Sequence, residues 1–362
     1  MGTRLKRIVL KGFRSIREAD IAFAPINVLI GANGAGKSNF LAFFRFMRHV
    51  LQRNLQFYVA DQGGPDKLLH FGRKLTESLS FLIELDTGAY DAMLTATSAN
   101  ELRFVEEAFL LKEDLPAGSA RLALARPGGS AESQLGRLAD DPALGVAYAH
   151  INGWRVYHFH DTSAGARVKQ KGRLADNDEL QSDAGNLAAL LLRIRLTPAY
   201  ESIVSTIQRV APFFRDFVLT PEGSSGEYVR LRWAHRGSEE IFEASDLSDG
   251  TLRFICLVTL LLQPEPPEVI ILDEPELGLH PFALRILAGL IRSISARTQI
   301  IASTQSVTFA NQFVADDIIV VDRVDESTQL RRLQPQELEA WMGDYDYGVG
   351  DLWEKNIIGG TP

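Results

Sequence analysis

The segment from Gly31 to Ser38 constrains this chain more than any other stretch. Its sequence, GANGAGKS, fits the pattern G-x-x-x-x-G-K-[ST] of a P-loop, which binds the phosphates of a nucleotide. The apolar run Ile26 to Ile30 before it predicts a buried strand, and Asn39 to Val50 after it predicts a helix. Because a glycine-rich turn between strand and helix points backbone N–H groups at phosphate oxygens, we predict a nucleotide site here rather than a chance glycine turn.

Two side chains of this segment have distinct expected roles. We expect Lys37 to reach the β- and γ-phosphates and the Ser38 hydroxyl to bind Mg²⁺. The predicted cofactors are therefore ATP and Mg²⁺. The predicted nucleotide-binding residues of this segment are Gly31, Ala32, Asn33, Gly34, Ala35, Gly36, Lys37, Ser38 and Asn39.

Length and charge set broad limits on fold and function. The 362 residues suffice for one large domain or two. The net charge of −8 gives no reason to expect strong non-specific binding to DNA. Basic residues cluster at positions 4–17 and 169–173, and each cluster alone is best explained as a solvated face.

The sequence carries no signal of secretion or membrane insertion. The single cysteine, Cys256, lies in an apolar run and is expected to be buried. One cysteine cannot form a disulfide framework, which fits a reducing cytosol. The N-terminus lacks the apolar core of a signal peptide, and no apolar run approaches the ~20 residues that span a bilayer. We therefore expect a cytoplasmic protein without a membrane segment.

The pattern of apolar residues divides the chain into three stretches. Residues 1–111 contain the P-loop and short β-like runs of an antiparallel meander, at Ser80 to Asp86, Tyr90 to Thr97 and Leu102 to Leu111. Periodicity weakens over 112–185, which we interpret as a partly helical insertion with one modest helix from Gln134 to Ala149. In 186–362, helices and strands alternate from Ser248 onward, which predicts a parallel sheet covered on both faces.

Two histidines of the insertion, His158 and His160, lie beside Asp161. Histidines at i and i+2 next to a carboxylate are compatible with a metal site. On a strand, however, the pair would share a face with little else nearby that chelates. We therefore favour a structural or interaction loop over a metal site.

Two adjacent carboxylates form the second strong signal. The apolar run from Val269 to Leu272 is followed by Asp273 and Glu274, which places both at the carboxyl edge of a buried strand. We expect Asp273 to hold Mg²⁺, directly or through water, opposite Ser38. Glu274 is suited to orient and deprotonate the attacking water. An acidic loop after a core strand is the alternative, and the P-loop upstream disfavours it.

The third signal is the segment from Asp246 to Thr251, with sequence DLSDGT, directly before an apolar helix. Ser248 could be a simple helix N-cap. The combination Leu-Ser-x-Gly between a P-loop and an acidic strand resembles the signature motif of ABC-type ATPases. The resemblance implies a dimer in which Ser248, Asp249 and Gly250 of one head contact the ATP held by the other.

Other family motifs match less closely. ABC-type heads usually carry a switch histidine where this chain has Gln305, within ASTQS. Glutamine donates hydrogen bonds but cannot carry charge, so the resemblance assigns Gln305 a catalytic position without a titrating group. The segment Leu277 to Pro281 occupies the D-loop position, where His280 would contact the partner head or cap a helix. Gln62 is a weak match to the Q-loop glutamine.

The N-terminus narrows the resemblance further. Residues 8–16, IVLKGFRSI, with the P-loop strand and helix start, resemble the opening of RecF/SMC-type heads. Residues 274–281, EPELGLHP, and 352–360, LWEKNIIGG, resemble stand-alone predicted ATPases related to OLD nucleases. The implied fold is an α/β P-loop NTPase of the ABC-ATPase type, with a mixed sheet core, an antiparallel β lobe and an insertion. The chain shows neither a coiled-coil heptad run nor room for a Toprim nuclease domain after about residue 330.

The resemblance implies a specific function. We expect a Mg-ATP-binding head that hydrolyses ATP slowly and dimerises on ATP. It also implies a role in DNA repair or phage defence, with DNA or a separate nuclease or effector chain as partner. Three alternatives remain: a nucleotide-gated binding module with negligible turnover, the ATPase subunit of a transporter, and a P-loop kinase.

Overall fold

The structure is a computed structural model that describes residues 4–111, 121–124, 129–141, 145–223, 226–338 and 347–360. It divides into two compact units, which are described separately. The first comprises residues 1–155 and 313–362, and the second comprises residues 156–312. In the part of the chain that the structure describes, no helix is both long and apolar enough to cross a membrane.

The first unit begins with strands and the helix that follows the P-loop. Its elements up to the junction are β1 Leu5–Phe13, β2 Ile16–Ala22, β3 Ile26–Ile30, α1 Lys37–Leu51, α2 Leu55–Asp61, α3 Pro65–Leu68, β4 Ser78–Leu85, β5 Gly88–Ala96, β6 Leu102–Leu111, β7 Arg121–Ala123 and α4 Gly145–Asn152.

The second unit follows, and the chain then returns to the first. The elements from the junction onward are β8 Arg155–Tyr157, β9 Gly172–Arg173, α5 Leu187–Ile194, α6 Pro198–Val210, β10 Phe214–Phe217, β11 Pro221–Glu222, β12 Tyr228–Val229, β13 Arg232–His235, β14 Ile241–Glu243, α7 Asp249–Leu262, β15 Val269–Asp273, α8 Pro281–Ile294, β16 Gln299–Thr304 and α9 Val307–Ala310. Back in the first unit are β17 Ile318–Val324, β18 Ser327–Arg332 and α10 Val349–Glu354.

An antiparallel sheet forms one layer of the first unit. Its strand order is β2-β1-β4-β5-β6-β7, and β4, β5 and β6 pair in succession, so the predicted meander is confirmed. Alternate residues of β4 are buried, as expected for a sheet with one face on the core.

Helix α1 fills the core of the first unit with aromatic side chains. Phe43 and Phe46 of this helix contact Phe13 and Phe81 of the sheet, with ring centroids 5.4–6.2 Å apart. Phe44 contacts Trp154 at 5.2 Å. Aromatic pairs at this spacing stabilise a core beyond their burial alone, so these contacts hold α1 against the sheet.

Strands that carry the predicted site residues are buried along their length. β3 is buried at every position and pairs parallel with β17, which pairs antiparallel with β18. In the second unit, β15 pairs parallel with β16, register Asp273 to Ser303, and neighbours β8. Continuous apolar runs such as VIIL in β15 are typical of parallel strands covered on both faces.

Three local predictions need correction or limits. The single helix predicted from Gln134 to Ala149 is wrong: a 3₁₀ turn at Leu135–Leu138 is followed by α4 from Gly145. The sequence has Pro142 in between, and proline is incompatible with a helix interior. Three segments of the predicted insertion (112–120, 125–128 and 142–144) lie outside the described residues, and its boundaries at 111 and 185 stay a prediction.

Cys256 is buried in α7, at 2% exposure, as predicted. Burial raises the pKa of its thiol to about 12. The thiolate that would react with oxidants or metals is therefore scarce at neutral pH.

Candidate functional site

The P-loop connects β3 to α1 in the first unit, and close packing requires two of its glycines. Gly36 has φ 113°, and a Cβ there would lie 1.9 Å from the Thr328 hydroxyl oxygen. A Cβ on Gly31 would lie 2.3 Å from the carbonyl oxygen of Val321. Any larger side chain at either position would push the loop off β17 and β18.

Lys37 is the first residue of α1, and its side chain is held against the loop. It is 5% exposed, and its ammonium donates to the carbonyl oxygens of Gly31 at 2.5 Å and Ala32 at 3.0 Å. A buried cation needs such partners. The P-loop therefore positions a positive charge over its own backbone.

A chain of hydrogen bonds fixes the far side of the P-loop. The Asn39 amide donates to the Ser15 hydroxyl at 2.7 Å, and the Ser15 and Thr328 hydroxyls are 2.7 Å apart. Thr328 in turn donates to the carbonyl oxygen of Ala35 at 2.8 Å. Ser15 and Thr328 were not identified from the sequence, and the use of the Asn39 side chain here leaves its predicted nucleotide contact a prediction.

The closing segment of the chain contacts the first residue of the P-loop. The Trp353 indole donates to the Gly360 carbonyl at 2.8 Å, and the Gly360 N–H donates to Asp322 at 2.6 Å. A Cβ on Gly360 would lie 3.3 Å from the Gly31 Cα. A direct contact with the loop is therefore one physical reason for the last glycine of LWEKNIIGG.

In the second unit, Asp273 ends β15 as predicted. The Ser303 hydroxyl of β16 donates to Asp273 Oδ1 at 2.6 Å. The Glu274 N–H donates to the Ser303 carbonyl at 3.1 Å, which extends the parallel ladder by one residue. These contacts fix the orientation of the Asp273 carboxylate, and Ser303 is a positioning residue that the sequence did not identify.

Glu274 and Gln305 contact one another. The Gln305 side-chain amide donates to the Glu274 carboxylate. Glu274 has φ 45°, a region that residues other than glycine rarely adopt and that is enriched at active sites. The predicted base and the residue at the switch position are therefore in direct contact within the second unit.

Glu276 connects the acidic loop to the segment after β16. Its Oε1 accepts hydrogen bonds from the Thr304 hydroxyl at 2.6 Å and the Gln305 N–H at 2.9 Å. Its Oε2 is buried without a hydrogen-bond partner among the described residues. Burial raises the pKa of the Glu276 carboxyl, and the bonds from Thr304 and Gln305 partly offset this.

We expect Glu276→Gln to change how stability depends on pH. The pKa of the Glu276 carboxyl is raised in the folded state, from an unfolded value of about 4.3. The stability that the protonated carboxyl contributes is therefore complete below the unfolded pKa and is lost as pH rises through the folded pKa. Glutamine does not ionise, so relative to wild type the variant gains on the order of 1 kcal/mol between pH 4 and pH 8. Urea unfolding at the two pH values measures this, with exposed Glu239→Gln as control. A stability difference that is the same at both pH values would contradict it.

The predicted signature segment caps α7. Ser248 is the N-cap, and its hydroxyl accepts from the Thr251 N–H at 3.2 Å. Ser248 and Asp249 are exposed to solvent. A Cβ on Gly250 would lie 2.3 Å from the carbonyl oxygen of Gly278, so the start of α7 packs directly against the predicted D-loop.

Two weaker predictions have structural roles. His280 is the N-cap of α8, and its Nδ1 accepts from the Phe282 N–H at 3.2 Å. Gln62 follows α2 in the first unit and accepts a hydrogen bond of 2.5 Å from Arg14. A nucleotide or partner contact of either residue stays a prediction.

The chemical types of the predicted donors fit ATP and Mg²⁺. The P-loop has an ammonium already held at its backbone, and a Cβ on Gly34 would meet no atom within 4 Å outside the adjacent residues. Ser38 and Asp273 offer the hydroxyl and carboxylate oxygens that Mg²⁺ prefers, and Mg²⁺ takes its remaining ligands from water and phosphates. Within the described ranges, no group of three or more His, Cys, Asp or Glu side chains is arranged to bind a metal by itself.

Comparison with known proteins identifies the fold. The crystal structure of an SMC head bound to the C-winged helix domain of ScpA has a TM-score of 0.60 at 16% identity, over 93% of this chain and 99% of that chain. The Smc head with an extended coiled coil bound to the C-terminal domain of ScpA derived from Pyrococcus furiosus has a TM-score of 0.58 at 15% identity, over 95% and 100%. The α/β fold of an ABC-type ATPase head is confirmed.

Two curated relatives match short segments. The chain is 50% identical over 46 residues to structural maintenance of chromosomes protein 3 of Saccharomyces cerevisiae, which is 12% of this chain and 4% of that protein. It is 55% identical over 38 residues to DNA replication and repair protein RecF of Edwardsiella ictaluri, 10% of this chain and 11% of that protein. The chain thus matches a small part of the length of these relatives.

A family profile matches far more of the chain. Residues 26–311, from β3 past the end of α9, match the family described as "AAA domain, putative AbiEii toxin, Type IV TA system". This range includes the P-loop, the signature segment, the acidic strand and Gln305. The chain belongs to this family, and its fold is that of an ABC/RecF/SMC-like ATPase head.

Proposed function

We propose that this protein binds Mg-ATP, hydrolyses it slowly, and forms a homodimer with ATP between the two heads. Lys37 and the P-loop backbone bind the phosphates, and Ser38 and Asp273 hold the Mg²⁺. Glu274 accepts the proton of the water that attacks the γ-phosphate, so that ADP and phosphate are released. The oxygens of Ser38 and Asp273 and the ammonium of Lys37 match these roles in chemical type.

The exposure of the signature segment is the observation that best supports the proposed dimer. Ser248 and Asp249 lie at the solvent-facing start of α7, where unpaired helix N–H groups and the helix dipole favour an anion. Close packing of Gly250 on Gly278 couples this surface to the D-loop. A second head could therefore present its γ-phosphate to this segment without any change in the fold of the first.

Replacing Ser248 by aspartate tests the dimer. Asp is as good an N-cap as Ser, so we expect the melting temperature to stay within about 2 °C. Its carboxylate would repel the γ-phosphate of the opposite head, and we expect the dimer dissociation constant to rise about 100-fold or more with a non-hydrolysable ATP analogue. Analytical ultracentrifugation gives the dimer fraction, and nucleotide titration checks that each head still binds.

Ser238→Asp is the matched control. Ser238 also accepts a backbone hydrogen bond, from Glu240 at 3.0 Å, but it lies in the turn between β13 and β14. We expect this variant to dimerise like wild type. A Ser248→Asp protein that dimerises equally well would rule out the proposed role of the signature segment.

We further propose a role in DNA transactions or in defence against phage. The two curated relatives are named for chromosome maintenance and for DNA replication and repair, and the family description names a toxin–antitoxin system. Either role would use the ATP state to control DNA binding or a separate effector or nuclease chain. The ATPase rate with and without DNA is the direct measurement.

A second candidate is a nucleotide-gated module with negligible turnover. The contact between Gln305 and Glu274 favours it, because the predicted base is already engaged by an uncharged amide. Both candidates require ATP binding. They differ in whether phosphate is released above the background of the Glu274→Gln variant.

A further inference from the structure

His158 and His160, which follow β8, lie close to Asp273 in the second unit. The His158 and His160 rings contact each other with centroids 4.0 Å apart. His160 Nε2 is 2.9 Å from the Asp273 carbonyl oxygen, so this nitrogen carries a proton and donates it. His158 Nδ1 is 3.7 Å from Asp273 Oδ2. The sequence predicted little that chelates near this pair, but Asp273, 113 residues downstream of His160, is there.

Backbone hydrogen bonds hold the histidine segment in place. The Arg253 guanidinium donates to the carbonyl oxygens of Phe159 at 3.2 Å and His160 at 2.9 Å. The His158 N–H donates to the Ser182 carbonyl at 3.2 Å. Arg253 lies on α7, in the helix that starts with the signature segment, so the two motifs are fixed to one another. The backbone that carries both imidazoles is therefore held in place.

The Asp273 carboxylate has two different oxygens. Oδ1 accepts the Ser303 hydroxyl at 2.6 Å, whereas Oδ2 is the oxygen that faces His158. The Asp273 side chain is 10% exposed and the His158 side chain is 49% exposed. A small cleft is lined by His160, Asp273 and Glu274. The second carboxylate oxygen of Asp273 thus faces a half-exposed imidazole.

The spacing of these two groups suits a shared cation. Two adjacent ligands of an octahedral ion at ~2.1 Å are about 3 Å apart, so a shift of less than about 1 Å would let His158 Nδ1 and Asp273 Oδ2 bind one ion. Two protein ligands do not hold a metal alone, which agrees with the absence of a larger metal-binding group among the described residues. Phosphate oxygens of a bound nucleotide would supply the remaining ligands.

We propose that His158 binds directly, beside Asp273, to the divalent cation that accompanies the nucleotide. This proposal rests on the proposed function, because the cation arrives with ATP. Imidazole is a better ligand for first-row transition ions than for Mg²⁺, and affinities rise from Mn²⁺ to Co²⁺. The site therefore prefers Mn²⁺ or Co²⁺ over Mg²⁺, and His158 sets that preference.

Manganese is the probe for this ligand. Wild type bound to Mn·ATP should show nitrogen hyperfine coupling from a coordinated imidazole in pulsed electron paramagnetic resonance, and labelling histidine with ¹⁵N should change it. We expect His158→Gln to lose the coupling and His235→Gln, in β13, to keep it. The ratio of Mn·ATP to Mg·ATP affinity should fall about tenfold in His158→Gln.

The outcomes separate the two proposals. Mn·ATP that binds wild type without nitrogen coupling would overturn the role of His158 and leave ATP binding intact. A coupling that survives in His158→Gln and is lost in His160→Gln would also overturn it. Failure of wild type to bind Mn·ATP or Mg·ATP at all would instead contradict the proposed function itself. Because His158 is half exposed, its substitution should not prevent folding, and circular dichroism checks this.

Discussion

Replacing Glu274 by glutamine is expected to lower the ATP turnover number by about 100- to 1,000-fold and to leave ATP affinity within about twofold, because a general base contributes on this scale. Glutamine has the same shape as glutamate and can still accept the hydrogen bond from Gln305. It cannot accept a proton from water at neutral pH. Phosphate release and nucleotide titration measure the two quantities separately.

The same variant should collect as a dimer when ATP is added. If ATP lies between two heads, blocking hydrolysis removes the step that separates them, and light scattering should show a stable dimer with ATP and a monomer without it. Glu265→Gln makes the same change of charge just before β15 and should turn over ATP like wild type. A Glu274→Gln protein that binds ATP and stays monomeric would rule out the ATP-sandwiched dimer.

The structure gives a reason to expect slow hydrolysis by wild type. Gln305 has the switch position but no charge, and it holds the Glu274 carboxylate in the described conformation. Glu276 in turn accepts a hydrogen bond from the Gln305 backbone N–H at 2.9 Å. This bond holds the backbone from which the Gln305 side chain extends. The amide occupies one oxygen of the Glu274 carboxylate, and it brings no positive charge to stabilise the γ-phosphate in the transition state.

Local sequence patterns predicted the elements that bind phosphate and carry the acidic pair. The strand Ile26 to Ile30 has the predicted bounds, and the strand from Val269 extends to include Asp273. These predictions succeed because each depends on residues that are adjacent in sequence. A buried parallel strand is a continuous apolar run, and a P-loop is a local glycine pattern.

Contacts between distant residues could not be predicted in this way. Thr328, whose hydroxyl supports the P-loop at Ala35, is 293 residues away along the chain. It lies in β18, a strand of sequence STQLRR with no apolar pattern to mark it. The approach of His158 to Asp273 has the same origin, since neither segment encodes its neighbour. The signal available in sequence was only that both segments are polar and lie near apolar strands.

Lys37→Met is expected to weaken ATP binding by about 100-fold, or about 2.7 kcal/mol. Methionine keeps the apolar stem of the side chain and removes the ammonium that would contact the β- and γ-phosphates. In the described structure that ammonium is bonded to the carbonyl oxygens of Gly31 and Ala32, so ATP exchanges carbonyl partners for phosphate oxygens. Titration with a fluorescent ATP analogue measures the loss.

Binding and folding can be separated for this residue. Lys37 is 5% exposed, and Lys37→Met removes the cost of burying a cation together with two hydrogen bonds to backbone carbonyls, so the two effects on stability offset one another. We therefore expect the urea midpoint of Lys37→Met to stay close to that of wild type while its affinity falls. Lys67→Met, at an exposed position in α3, makes the same change of charge and should alter neither. If Lys37→Met folded normally and bound ATP as tightly as wild type, the P-loop would not be the nucleotide site, and the roles proposed for Asp273, Glu274 and His158 would fall with it.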